Sequence, residues 1–320
     1  MEAPIPMEHV LLRVKVLNLA YLTVALPLFT LVFCFATSML FQYTAVNTTV
    51  CKVYNFCPSV SAITGISPQR YVWRTGVALH TGPRLLLASL YPRYYSRRAL
   101  LVEAPRRPLF LRLARANYLL HLTEALSLVG VTYVSNRENY PVHEKIFIIF
   151  MVSSLLYMVG TCIAANMCQH KNDTEMEKKS RRLKMSLLGL TLAASAGMLY
   201  FFYKHRIHCV ELAFSWFSLC EYFICVCNMA FHLTLVYDIP DEELLVGVPL
   251  GVPNSSKPAS KDHVRLGYCA TEAHSWARGG ASASAAAMTS LLWNAQTGEA
   301  RAVAAEPVAA AAPARQLCAV

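Results

Sequence analysis

The chain has 320 residues, 55% of them hydrophobic and only 15% charged, and its mean hydropathy is +0.38. A soluble globular domain rarely combines these values, so the composition excludes a water-soluble enzyme or scaffold and points to an all-α, polytopic membrane helix bundle. The formal charge of +10 comes without a nucleic-acid recognition fold, so no nucleic-acid partner is expected; contact with anionic lipid headgroups is.

A hydrocarbon core of about 30 Å requires roughly 20 apolar residues per helix. In chain order, candidate spans lie at Val16–Phe41, Tyr71–Leu90, Tyr118–Val134, Ile146–Met167, Met185–Tyr203 and Val210–Tyr237. Residues 1–15 form a short N-terminal segment, and Arg13 and Lys15 precede an apolar run too long for a cleaved signal core, so an uncleaved signal anchor is expected. The second span is interrupted by Arg74, His80, Pro83 and Arg84, which leaves a re-entrant or interfacial segment open as an alternative. In the fifth span Gly189, Ala193 and Gly197 make a small-residue stripe suited to close helix packing.

Arg93, Arg97, Arg98, Arg106, Arg107, Arg112 and Arg115 follow span two, and Lys171, Lys178, Lys179, Arg181, Arg182 and Lys184 follow span four, while the alternate connections hold few basic residues. The positive-inside rule makes the basic connections cytosolic and places both termini on that side. Beyond the membrane domain, 16–246, the segment 247–320 is rich in Ala, Pro and Ser and reads as a disordered cytosolic tail, with a short helix around Met288–Asn294 as its one candidate element.

On the lumenal side, Cys51 or Cys57 can pair with Cys209, with Cys51 preferred. The cysteine spacing makes no metal motif, and no metal or cofactor is expected. Asn47-Thr48-Thr49 is a glycosylation acceptor in the same lumenal loop, whereas Asn172 falls in a cytosolic one.

Ionisable residues stranded in apolar spans mark a site, since a charge near the midplane costs about 2.5–3.5 kcal/mol even on a lenient scale. His80 and Arg84 share a helical face, as do His121 and Glu124, and Glu221, Asn228 and His232 lie on one stripe of the last span. The expectation is one polar cluster open to the lumenal leaflet, with His80, Glu124, Glu221 and His232 as proton carriers and Arg84 and Asn228 as binding groups. His121 reads as a local partner of Glu124. At the lumenal entrance Arg70, Trp73, Arg74, His143 and Glu144 are candidate headgroup contacts, set against an ordinary interfacial belt of aromatic and basic residues. No nucleophile elbow, Walker loop or zincin motif is present.

Several strings carry a resemblance: Pro58-Ser-Val-Ser61, Pro68-Gln-Arg-Tyr-Val-Trp-Arg74, Leu79-His80, Pro83-Arg84, Thr132-Tyr-Val-Ser135, His143-Glu144, Glu221-Tyr222 and Asn228-Met-Ala-Phe-His232. Over about Leu17–Val246 the chain resembles the post-GPI attachment to proteins factor 2 family, within the multispan FRAG/DRAM-type group. The resemblance implies a Golgi membrane protein, also expected in the endoplasmic reticulum, that works on GPI-anchored proteins and membrane lipid. It implies a role in installing a saturated acyl chain on the lyso-anchor, as an acyltransferase or as an accessory to one. It also implies pairing of Cys51 with Cys209. The alternative from another class is a proton-coupled transporter or lipid scramblase.

Overall fold

A computed structural model describes residues 7–169, 173–240, 242–249, 292–293 and 300–301. Val14–Leu244 forms one compact unit. Its long helices are α1 (Val16–Phe41), α4 (Gln69–Arg98), α5 (Arg107–Tyr133), α6 (Tyr140–Met167), α7 (Glu175–His208) and α8 (Ala213–Leu233); the short ones are α2 (Tyr43–Asn47), α3 (Val60–Thr64) and α9 (Leu235–Asp238). Outside the helices, β1 (Met7–Lys15) pairs with β2 (Glu243–Pro249), and β3 (Leu292–Trp293) pairs antiparallel with β4 (Ala300–Arg301). The sequence expectation of a tail over 247–320 otherwise falls outside the described residues, and Leu292–Trp293 lies in a strand where a short helix was the expectation.

Each long helix packs on its neighbour in sequence, and α8 packs back on α1, so the six close a ring in the order α1, α4, α5, α6, α7, α8. Burial inverts accordingly. Phe29, Val32, Leu119, Ile149, Leu199 and Val226 are exposed on the outer wall, while His80, Arg84, Asn117, His121, Glu124 and Asn228 are buried within. An apolar exterior with a polar interior is what a lipid solvent selects.

Four stretches, Val16–Phe41, Tyr140–Met167, Glu175–His208 and Ala213–Asp238, are long and apolar enough to cross a membrane. Helices α4 and α5 have 30 and 27 residues, about 45 and 40 Å at 1.5 Å per residue. Their terminal arginines and interior polar residues dilute their apolarity. α4 is nonetheless one continuous helix through Pro83 and Pro92.

The long helices alternate in direction. At the basic end, Arg98 pairs with Glu177, Arg181 with Asp173 at 2.7 Å, and the buried Lys184 with Asp238 at 2.5 Å. Here too the Val16 amide donates to the Glu242 carbonyl at 3.1 Å, so the start of α1 and the exit from α9 share this end.

At the opposite end the 42–68 connection, with α2 and α3, folds over the start of α8. The Phe56 and Cys57 amides donate to Ser215 Oγ at 2.9 and 3.2 Å, Leu212 N–H donates to the Tyr54 carbonyl at 3.2 Å, and Cys51 is disulfide-bonded to Cys209 with Cα atoms 5.5 Å apart. Cys57 stays a free, buried thiol, which burial pushes up to about 11. Cys209 and Leu212 have φ of 47° and 63°, and these two left-handed residues turn the chain from α7 into α8.

The close helix contacts are not where the Gly189-Ala193-Gly197 stripe put them. Gly189 and Ala193 face outward, and only Gly197 meets α8, at Cys220. The tight glycine contacts are instead with side chains, at Gly76 in α4 against Thr30 of α1 and at Gly160 in α6 against Asn117 of α5.

Candidate functional site

The stranded polar residues separate into two groups at different depths. The inner group centres on Glu124 of α5, which is fully buried. Arg84 of α4 meets its Oε2 at 3.0 Å, Asn228 of α8 donates to its Oε1 at 2.7 Å, and His232 Nε2 lies 3.1 Å from the same Oε1. Asn228 Nδ2 also donates to Ser154 Oγ of α6 at 2.7 Å. Side chains of α4 and α8 thus converge on one carboxylate of α5, with α6 joined through Asn228, as an unpaired charge at this depth would demand.

Arg84 Nη2 also lies 2.8 Å from His232 Nε2. One ring nitrogen cannot accept from the guanidinium and donate to Glu124 at once, so the position of a single proton selects between the two contacts.

His80 is placed by a proline. Pro27 of α1 has no N–H, which frees the carbonyl of Thr23 four residues earlier, and His80 Nδ1 donates to that oxygen at 2.5 Å. Among the described residues its Nε2 has no hydrogen-bond partner, nor do Arg84 Nε and both ring nitrogens of His121. His121, expected to hydrogen-bond Glu124, instead stacks on His232 and Tyr157, with ring centroids 5.0 and 4.6 Å away. The spacing of three residues puts both groups on one helical face without fixing which way the ring turns.

His80, Arg84, His121, Asn228 and His232 line a cleft together with Ala20, Thr23, Leu87, Tyr91 and Leu235 among others. Ala20 and Thr23 begin α1 and Leu235 follows α8, so the cleft lies toward the basic end. The sequence expectation had it opening toward the lumenal leaflet; the lining places it nearer the end that carries the basic connections.

His121, Glu124 and His232 bring three ligand atoms within 4.8 Å of one another. These groups are already engaged with one another: the Arg84 guanidinium holds the carboxylate, and the two imidazoles stack on each other.

Glu221 does not join the inner group. It lies seven residues before Asn228 on α8, about 10 Å along the axis, and accepts from the Val60 amide of α3 at 2.8 Å. It therefore belongs to an outer group at the α3 end. There His143 Nε2 meets Ser61 Oγ at 2.8 Å and His143 Nδ1 meets the Val134 carbonyl at 2.7 Å. Arg70 and Arg74 share one carboxylate, Glu138, at 3.1 and 2.6 Å, and Arg74 also donates to the Tyr133 carbonyl at 2.7 Å. Glu138 further accepts from the Ser135 backbone and hydroxyl; these two bonds first, then the two arginines, hold its carboxyl down at about 2.

One expected contact at this end falls elsewhere. Trp73 is packed into an apolar cluster with Leu31, Cys34 and Ile63, because the face of α4 it occupies turns toward α1. Asn47, the expected glycosylation acceptor, is buried, and its amide nitrogen donates to the Tyr43 carbonyl at 3.0 Å. Glu144 accepts a long bond, 3.4 Å, from Tyr140. Residues the spacing argument missed are Thr23, Ser154 and Tyr157 inside and Ser61 outside. Hydroxyls carry no charge penalty in an apolar run, so only their partners give them away.

A family profile described as Frag1/DRAM/Sfk1/Cwh43P N-terminal domain matches residues 16–242. A Drosophila melanogaster protein named Post-GPI attachment to proteins factor 2-like is 46% identical over 234 residues, 72% of this chain and 71% of the relative. Acyltransferase PGAP2 of Xenopus tropicalis is 36% identical over 228 residues, 71% of this chain and 88% of the relative. Post-GPI attachment to proteins factor 2 of Caenorhabditis elegans is 30% identical over 234 residues, 71% of this chain and 86% of the relative. No solved structure matches.

Proposed function

Because this chain belongs to the Frag1/DRAM/Sfk1/Cwh43P family, we propose that it acts in lipid remodelling of GPI-anchored proteins, in the step that installs a saturated acyl chain on the lyso-anchor. Relatives named as post-GPI attachment factors and as an acyltransferase support this reading. The transporter or scramblase alternative gains no support from them.

The observation that carries the site is the charge balance at the α3 end. Two arginines, Arg70 and Arg74, share the single carboxylate of Glu138, which leaves one positive charge in surplus at a half-exposed rim. Such a rim suits the phosphate of a lipid headgroup, which guanidinium groups bind bidentately. We place this end in the lumen and the basic end, with both termini, in the cytosol of Golgi and endoplasmic reticulum membranes.

In the inner cleft, His80, Arg84, Asn228 and His232 offer polar atoms to a second lipid group. Glu124, committed to Arg84 and Asn228, anchors them and is not free to act as the base. The test is rescue of cells lacking the endogenous relative, read by mass spectrometry of anchor acyl chains. Wild type should restore saturated anchors and the Arg70→Gln, Arg74→Gln double variant should not; normal anchors from that variant, expressed at wild-type level, would remove the rim from the site.

A further inference from the structure

We propose that Ser61 is an acyl-carrying nucleophile and His143 its general base, a pair that lies outside the inner cluster and is joined by no sequence motif. The inference rests on the acyl-transfer reading above.

The tautomer follows from the contacts. His143 Nδ1 faces a carbonyl oxygen, Val134 O, at 2.7 Å, and a carbonyl can only accept, so Nδ1 carries the proton. In the neutral ring Nε2 is then the lone-pair nitrogen, and it accepts from the Ser61 hydroxyl at 2.8 Å. Nucleophile, base and a third group that orients the base are the three parts of an activated serine, with a backbone carbonyl standing where a triad has its carboxylate.

Both partners are held from outside the pair. His143 is buried on the first turn of α6, whose cap Asn139 accepts from the Val142 amide at 3.2 Å. Ser61 is half-buried on α3, which Glu221 fixes through the Val60 amide at 2.8 Å and Ser59 caps through the Ala62 amide at 3.2 Å. Glu221 is thus a positioning residue, which gives this buried carboxylate a role that the inner cluster does not. Val134, whose carbonyl orients His143, also lies next to Tyr133, whose carbonyl Arg74 holds, so the pair sits beside the proposed phosphate rim.

The donor is a fatty acyl ester of a membrane phospholipid or a fatty acyl thioester. Ser61 Oγ attacks its carbonyl carbon while the hydroxyl proton moves to His143 Nε2. The tetrahedral adduct collapses, the donor's C–O or C–S bond breaks, and the leaving group takes the proton from His143, leaving an acyl ester on Ser61. The free hydroxyl of the lyso-anchor then attacks that ester, its proton passes to His143 Nε2, and Ser61 Oγ departs with the same proton. No oxidant, reductant or metal is needed.

The probe is an alkyne-tagged fluorophosphonate, applied to the purified full-length protein and mapped by peptide mass spectrometry. Expected is an adduct on Ser61, absent in Ser61→Ala and formed about 100-fold more slowly in His143→Gln, the scale of a lost general base. A merely structural hydrogen bond would give no adduct. Unmodified Ser61 in monodisperse wild type, or unchanged labelling in His143→Gln, would overturn the proposal. Should Ser61→Ala fail to fold, Ser61→Cys keeps the question open to test, because its acyl thioester is cleaved by neutral hydroxylamine whereas the serine ester resists it. Vesicles of phospholipid with a labelled saturated chain, compared with a labelled acyl thioester, identify the donor; transfer of label to Ser61 from neither would overturn the acyl step. In rescued cells, normal anchors from Ser61→Ala would sink the nucleophile and spare the remodelling role, whereas failure of wild type itself would remove the remodelling role.

Discussion

Two arginine–glutamate pairs in this molecule look alike by distance and differ in everything else. Arg84 meets Glu124 at 3.0 Å with side chains 5% and 0% exposed; Arg74 meets Glu138 at 2.6 Å with side chains 20% and 39% exposed. The shorter contact is the weaker constraint. Water screens the outer pair and would solvate either partner alone, while the inner pair has no such refuge, so losing one partner strands the other.

The largest expected effect is therefore Glu124→Gln, which should destabilise the bundle by about 3–5 kcal/mol, the usual consequence of stranding a buried charge. Thermal unfolding in detergent is the measurement. Replacing both partners by apolar residues, Arg84→Met with Glu124→Leu, should recover most of that loss; if the double variant is as unstable as the single, the inner group is doing more than balancing charge.

Next is Cys209→Ser. The disulfide joins positions 158 residues apart, and removing such a link should cost about 2–5 kcal/mol. It would show that the outer end is held by a covalent tie more than by its ion pairs, and a melt under reducing conditions should reproduce it.

Gly160→Ala probes the inner side by packing alone. Its added methyl would run into Asn117 Oδ1, whose amide donates to Thr161 at 2.8 Å, and displacing that buried, hydrogen-bonded side chain should cost about 1–3 kcal/mol.

The smallest effect belongs to Glu138→Gln, below about 1 kcal/mol for so exposed a group. Its pH dependence sharpens the comparison. Glu138 titrates at about 2 in the fold against an ordinary 4.5, so its contribution is complete above about 4.5 and is lost as pH falls toward 2. The stability difference between wild type and Glu138→Gln should shrink over that window, and a difference that persists at pH 2 would contradict the depressed value.

How much of this was legible in advance can be judged residue by residue. Arg84, Glu124, Asn228 and His232 were all marked by the penalty a polar group incurs in an apolar run, and they do meet. Glu221 carried the same mark and was misplaced, because the stripe it shares with Asn228 fixes a helical face but not a height along the axis, and at its height α3 supplies the partner. Trp73 and His121 went astray through rotation: sequence tells which residues share a face, but the neighbour that face meets depends on how the ring closes. Ser61 was invisible as a nucleophile, since its base lies 82 positions away and nothing local distinguishes it from any other serine in a turn.

By itself the sequence determined the membrane class, the positions of six long helices and the alternation of basic and non-basic ends, because hydropathy and charge act locally through transfer free energy. The grouping of the polar residues into two sets, the position of the cleft toward the basic end and the meeting of Ser61 with His143 emerge from packing. These depend on the rotation, depth and order of helices in a closed ring, which are settled by contacts between residues far apart in the chain.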